Sequence, residues 1–173
     1  MSASTLRIGV LMPEVLGTYG DTGNALILAE RARRRGIEAE VVHVGLTEDI
    51  PDSLDIYTLG GGEDTAQALA ADKFRGTSGL SRALDAGRPL LAICASLQVL
   101  GHWYEAARGL RVPGMGVLDF TTEPQGHRAI GELVTVPLLD GLTQPPTGLE
   151  NHGGGTGLGA RAAPPRRRGG GAR

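Results

Sequence analysis

The sequence predicts an α/β fold, a mostly parallel sheet flanked by helices, and three observations carry that prediction. Short β-rich runs alternate with helical patterns over residues 1–100, the runs are apolar as strands of a covered sheet are, and glycine-bearing loops fall at their carboxyl ends.

The elements follow in order. "LRIGVLM" (Leu6–Met12) reads as a strand. "TGNALILAERARRRG" reads as a helix that starts near Asp21 or Thr22 and stops at Gly36, with Ala25, Leu28, Ala29 and Ala32 on one stripe. "IEAEVVHV" (Ile37–Val44) alternates and then runs apolar, as a second strand does. "LDIYTL" (Leu54–Leu59) and "RPLLAI" (Arg88–Ile93) are the third and fourth strands, with helical segments near Asp64–Ala71 and Ser78–Ala86 between them and a helix over "ASLQVLGHW" after them. In parallel sheets of this kind ligands collect at the carboxyl ends of the strands. After Gly109 the pattern changes to short β-like pieces, "GMGVLDF" and "GELVTVPLL". From about Gly153 it loses apolar periodicity, so residues 1–154 read as one domain and residues 155–173 as a disordered Gly/Arg/Pro-rich tail.

A chain of 173 residues is long enough to bury a sizeable core. Its single cysteine forms no internal bridge. The start "MSASTLRIGVLMPE" lacks a signal peptide's basic region and long apolar run, and no stretch approaches the ~20 apolar residues that span a bilayer. A soluble, cytoplasmic protein without a membrane span is the expectation. Residues 151–173 hold five Arg and no acid, which leaves 12 − 19 = −7 over residues 1–150. That acidic bulk, with aromatics at only 3%, argues against a nucleic-acid binder.

Three features fall at strand ends. "GTYGDTGN" (Gly17–Asn24) lacks the Gly-Lys-Ser/Thr of a phosphate loop and the spacing of a dinucleotide fingerprint, so a turn with a helix N-cap at Asp21 or Thr22 competes with a binding role. "LGGGEDTAQ" (Leu59–Gln67) lets backbone N–H groups approach an oxyanion or carboxylate closely, and equally suits a turn before a helix. Cys94 stands where a strand changes into a helix. A free cysteine there reads either as a small core hydrophobe or as a nucleophile. The helix-opening N–H groups favour a thiolate, with the Ala95 N–H as an oxyanion donor.

In this order "YGDTGN", "GGGEDTAQ", "CASLQVLG" and "GLENHGG" resemble the CobB/CobQ-type class I glutamine amidotransferases, over about Leu6 to Gly154. Within that family the resemblance is to the branch that feeds ammonia to a Mur-ligase-like partner during peptidoglycan synthesis. It implies a flavodoxin-like three-layer fold, glutamine as substrate and a heterodimer with a synthetase subunit. It also implies no cofactor or metal in this chain, ATP being used by the partner. Cys94 becomes the nucleophile that forms a glutamyl thioester, Gly61 and Ala95 the oxyanion hole, and Arg128 in "GHRAIGEL" the group that binds the glutamine α-carboxylate. Gln98 matches a position near the substrate.

The chain also departs from the family. Members continue past "ENHGG" to a Leu-His-Gly-type motif whose histidine pairs with the cysteine, and this sequence has none, which points to a shifted reading frame or an altered C-terminus. His102, about 12 Å along the expected helix from Cys94, is out of reach. His43 ends a strand, whereas His127 and His152 stay open as substitutes. The alternatives are a cobyrinate-type synthase amidotransferase, a partner-binding chain with impaired catalysis and, more distantly, a nucleotide-binding module.

Overall fold

A computed structural model describes residues 4–138, 140–141, 143–162 and 166–170, the last of these by their backbone. Its first half is a parallel sheet in the order β2-β1-β3-β4, formed by β1 (Leu6–Leu11), β2 (Ala39–Val44), β3 (Ile56–Leu59) and β4 (Leu90–Ala92). Helices α1 (Thr22–Arg33), α2 (Asp64–Arg75), α3 (Gly79–Asp85) and α4 (Ala95–Leu100) connect and extend these strands. The predicted α/β class and the flanked parallel sheet therefore hold.

Alternation along β1 sorts the layers. Ile8 and Val10 meet Ala25 and Ala29 of α1 in one buried cluster, the stripe expected from the helical period. Leu11 turns with Tyr57, Leu59, Phe74, Leu80 and Val99 into the larger core. The chain leaves β1 for β2 on one side and returns for β3 on the other, so the order reverses beside β1. The loops that follow β1, β3 and β4 meet at that reversal, where α/β sheets bind ligands.

The rest forms a second sheet. Strands β5 (Trp103–Glu105), β6 (Arg111–Pro113), β7 (Phe120–Pro137) and β8 (Thr147–Leu158) run in the order β6-β5-β7-β8, and β9 (Arg166–Gly170) pairs with β7. Tyr104 of β5, 1% exposed, plugs this sheet into the larger core.

Two expectations change here. The helix predicted over "ASLQVLGHW" ends at Leu100, because Gly101 is extended and packs its backbone on the Phe120 ring, and Trp103 and Tyr104 enter a strand instead. His102 is thus outside the helix and hydrogen-bonds Asp119 at 2.9 Å. The expected tail without regular structure from residue 155 also differs from the structure. β8 runs through Gly155 to Leu158, and residues 166–170 pair with β7. A ladder is made by backbone groups, so a glycine-rich run with no apolar period still forms one. Residues 163–165 and 171–173 of that segment lie outside the described residues.

Candidate active site

β4 ends at Ala92, Ile93 keeps the sheet ladder by donating its N–H to the Leu59 carbonyl at 3.0 Å, and α4 begins at Ala95. Cys94 alone makes the corner, at φ 52 and ψ −113, in backbone space that side chains rarely adopt. A strained strand-to-helix turn of this kind raises a side chain out of the sheet edge. The Cys94 thiol is exposed accordingly, while Ala95 and Ser96 behind it are buried.

The loop after β3 packs against that corner. Ser96 Oγ donates to the Gly60 carbonyl at 2.5 Å, and Gln67 Nε2 of α2 donates to the Ala95 carbonyl at 3.2 Å and to Gln98 Oε1 at 2.7 Å. Close approach explains the glycines. A Cβ on Gly60 would overlap the Leu16 carbonyl oxygen, and one on Gly61 would stand 3.3 Å from Cys94 Cβ. The β3 loop with Gly61 and the corner with Cys94 and Ala95 are thus in contact.

The loop after β1 closes the other side. Asp21 Oδ2 accepts the Gly61 N–H at 2.7 Å. Tyr19 donates its hydroxyl to Glu63, a bond that, with the Glu63 charge, holds the phenol above its ordinary pKa. Asp21 enters the site by a route its sequence position does not announce, since an aspartate at a helix start reads as a cap.

A cavity of about 370 Å³ opens beside the thiol, lined among others by Cys94, Gln98, Thr122, Gln125, His152 and Gly154. Arg128 does not line it. That side chain lies on the irregular part of β7, where Nε donates to Asn151 Oδ1 of β8 at 2.6 Å. Of the four histidines, only His152 borders the cavity. Its Nδ1 pairs with the Gly154 carbonyl at 2.8 Å, and its Nε2 lies 3.9 Å from Glu150 Oε2. His127 pairs with the Gln125 carbonyl at 3.2 Å, and His43 is an exposed residue of β2. Among the described residues nothing hydrogen-bonds the Cys94 thiol, no cluster of His, Cys, Asp and Glu suits a metal ion, and no helix is long and apolar enough to cross a membrane.

Comparison with known proteins identifies the family. The GatD subunit of lipid II isoglutaminyl synthase (glutamine-hydrolysing) from Staphylococcus aureus is 39% identical over 153 residues, 87% of this chain and 62% of that protein. The corresponding subunit from Streptococcus pneumoniae is 32% identical over 154 residues, 87% of this chain and 58% of that protein. A cobyric acid synthase from Parasynechococcus marenigrum is 34% identical over 126 residues, which is 66% of this chain and 24% of that protein. The chain spans about three fifths of the two GatD subunits it matches. The family profile of the CobB/CobQ-like glutamine amidotransferase domain extends over residues 7–171, so it takes in both the Cys94 corner and the long β7–β8 ribbon, and the chain belongs to that family.

Proposed function

We propose that the chain is a cytoplasmic glutaminase subunit. It hydrolyses glutamine to glutamate and ammonia and passes the ammonia to a Mur-ligase-like synthetase, which uses ATP to amidate the stem-peptide glutamate of lipid II to isoglutamine. The observation that carries this reading is the exposed Cys94 on a strained corner, packed so closely on the β3 loop that a Cβ added to Gly61 would stand 3.3 Å from the Cys94 Cβ, in a chain 39% identical to a GatD subunit.

The chemistry follows from the corner. Cys94 Sγ adds to the side-chain amide carbon, and the carbonyl electron pair moves onto oxygen, where the Gly61 and Ala95 N–H groups receive the charge. Collapse breaks the carbon–nitrogen bond as the nitrogen takes a proton, so ammonia leaves and a thioester remains. Water then splits the thioester to glutamate and returns the thiol. The subunit itself needs no cofactor for these steps. Arg128 binds the α-carboxylate through a guanidinium fork, for which its side chain swings from Asn151.

A second reading, a partner-binding chain with impaired catalysis, is favoured by one observation: no histidine hydrogen-bonds the thiol among the described residues. Ammonia release from glutamine, measured with and without the synthetase, separates the two. Release that disappears in Cys94→Ala supports the glutaminase. Binding to the synthetase without any release supports the other.

A further inference from the structure

The Asp21 carboxylate occupies the donor that the substrate's oxygen needs. Oδ2 of Asp21 accepts the Gly61 N–H at 2.7 Å, and the space a Gly61 side chain would fill is bordered by Cys94 Cβ at 3.3 Å, Tyr19 Cδ2 at 3.4 Å and Asp21 Oδ2 at 3.5 Å. A peptide N–H has one proton to donate. We infer that Asp21 competes with the substrate carbonyl for the oxyanion donor at Gly61, and so sets how readily glutamine engages Cys94. The inference rests on the glutaminase reading.

The placement of Asp21 is specific. Asp21 stands at the N-cap position of α1, yet its backbone is helical, at φ −63 and ψ −19, and its side chain makes no cap bond. An extended backbone is what normally turns a capping carboxylate onto its own helix. Here it is directed across to the β3 loop instead. The two loops touch with no side chain between them, since a Cβ on Gly60 would lie 2.7 Å from Asp21 Cβ. Tyr19, two residues before Asp21, bonds Glu63, two residues after Gly61. The segment over Gly61 is thus held on both sides of the contact.

The chemical consequence follows from charge. A carbonyl oxygen that takes the Gly61 N–H displaces Oδ2, and a carboxylate left nearby opposes a second negative charge on that oxygen. The neutral carboxamide of glutamine meets this barrier only as charge develops, whereas the carboxylate of glutamate meets it at once. Asp21 therefore also disfavours the product.

The test compares two reagents on Cys94 in the wild type, Asp21→Asn and Asp21→Ala. A glutamine-derived chloroketone has a carbonyl that must take the oxyanion donor, whereas methyl methanethiosulfonate has none. Exchange of a charge-assisted acceptor for a neutral one should raise the ratio of chloroketone to thiosulfonate rates about fivefold in Asp21→Asn, and at least as much in Asp21→Ala. General loosening of the loop would raise both rates and leave the ratio unchanged. An unchanged or lower ratio in both variants overturns the assignment. Protection of wild-type Cys94 by glutamine against the thiosulfonate tests the glutaminase reading separately. Protection with an unchanged ratio removes Asp21 alone; lack of protection removes the glutamine site, and the ratio still decides whether Asp21 holds the donor.

Discussion

The buried Gln67 amide joins the two helices behind Cys94, donating from Nε2 to the Ala95 carbonyl at 3.2 Å and to Gln98 Oε1 at 2.7 Å. Gln67 is 4% exposed, so water cannot replace these bonds if the donor is lost. Gln67→Leu is expected to destabilise the fold by about 1–3 kcal/mol, the cost of stranded buried acceptors, and to slow chloroketone labelling of Cys94. Denaturant unfolding and labelling rates check both effects. A variant as stable and as reactive as the wild type would deny the bridge any role.

Cys94 allows a stability test that is separate from its chemistry. At φ 52 and ψ −113 a side chain is strained and a glycine is not. Cys94→Gly and Cys94→Ala should both lose glutamine hydrolysis. Cys94→Gly should nevertheless be the more stable of the two by about 1 kcal/mol, since strain relief outweighs the flexibility glycine adds to the unfolded chain. Equal unfolding midpoints would mean that the corner stores no strain.

Arg128 reaches Asn151 at 2.6 Å and stands outside the cavity beside Cys94. In the proposed glutaminase its part is to hold the substrate, so its loss bears on affinity and leaves bond breaking alone. Arg128→Ala is expected to weaken glutamine binding about 10- to 150-fold, the loss of a charge-assisted contact worth roughly 1.5–3 kcal/mol. Isothermal titration of glutamine into the Cys94→Ala background reads this directly. Unchanged affinity would take Arg128 out of the substrate site and leave it as a ribbon contact to Asn151.

Asp119 links the second sheet to the segment after β8. His102 Nε2 meets one oxygen at 2.9 Å and the Arg161 N–H meets the other at 2.9 Å. The His102 bond first, and the Arg161 backbone bond next, hold the Asp119 carboxyl below the usual carboxylate range. A carboxyl with a lowered folded pKa contributes stability above its unfolded value, near pH 4, and loses it as pH falls through the folded value. Asp119→Asn should therefore lower the melting temperature at pH 7 and show a shallower fall below about pH 4. Parallel melting curves across that range would refute the linkage.

The four parallel strands and α1 to α3 were legible in the sequence because each buries one face against a fixed layer, and burial writes its period into the residues. Ile8, Val10, Ala25 and Ala29 show this directly, as the expected stripe meets the expected strand. Cys94 was legible as a junction, since only a change of period marks a strand-to-helix corner. The second half of β7 was legible in "GELVTVPLL", whereas β8 was not, because "GLENHGGGTGL" is held by backbone bonds that any residue can make. The contact of Asp21 with Gly61 was hidden for a different reason: its capping position explained the residue locally, while its helical backbone sent the carboxylate to a loop 40 residues away in sequence.

In the proposed glutaminase reaction the departing ammonia takes up a proton. A positioned general acid/base contributes about 10²–10⁴-fold, and the four histidines offer the thiol no hydrogen bond in the described structure. His102 is turned to Asp119, His127 to the Gln125 carbonyl and His152 to the Gly154 carbonyl, although His152 borders the same cavity as Cys94. A version of the chain in which the residues after Gly154 are exchanged for a family segment bearing the Leu-His-Gly-type histidine should hydrolyse glutamine at least about 10²-fold faster, with the synthetase present in both assays. The same segment with that histidine changed to alanine should give no such gain, which separates the base from any added stability. Equal rates would leave His152 or a residue of the partner as the base. His152→Gln then decides between these, because only the first loses activity in that variant, and with it the limb of the pH–rate profile that the imidazole supplies.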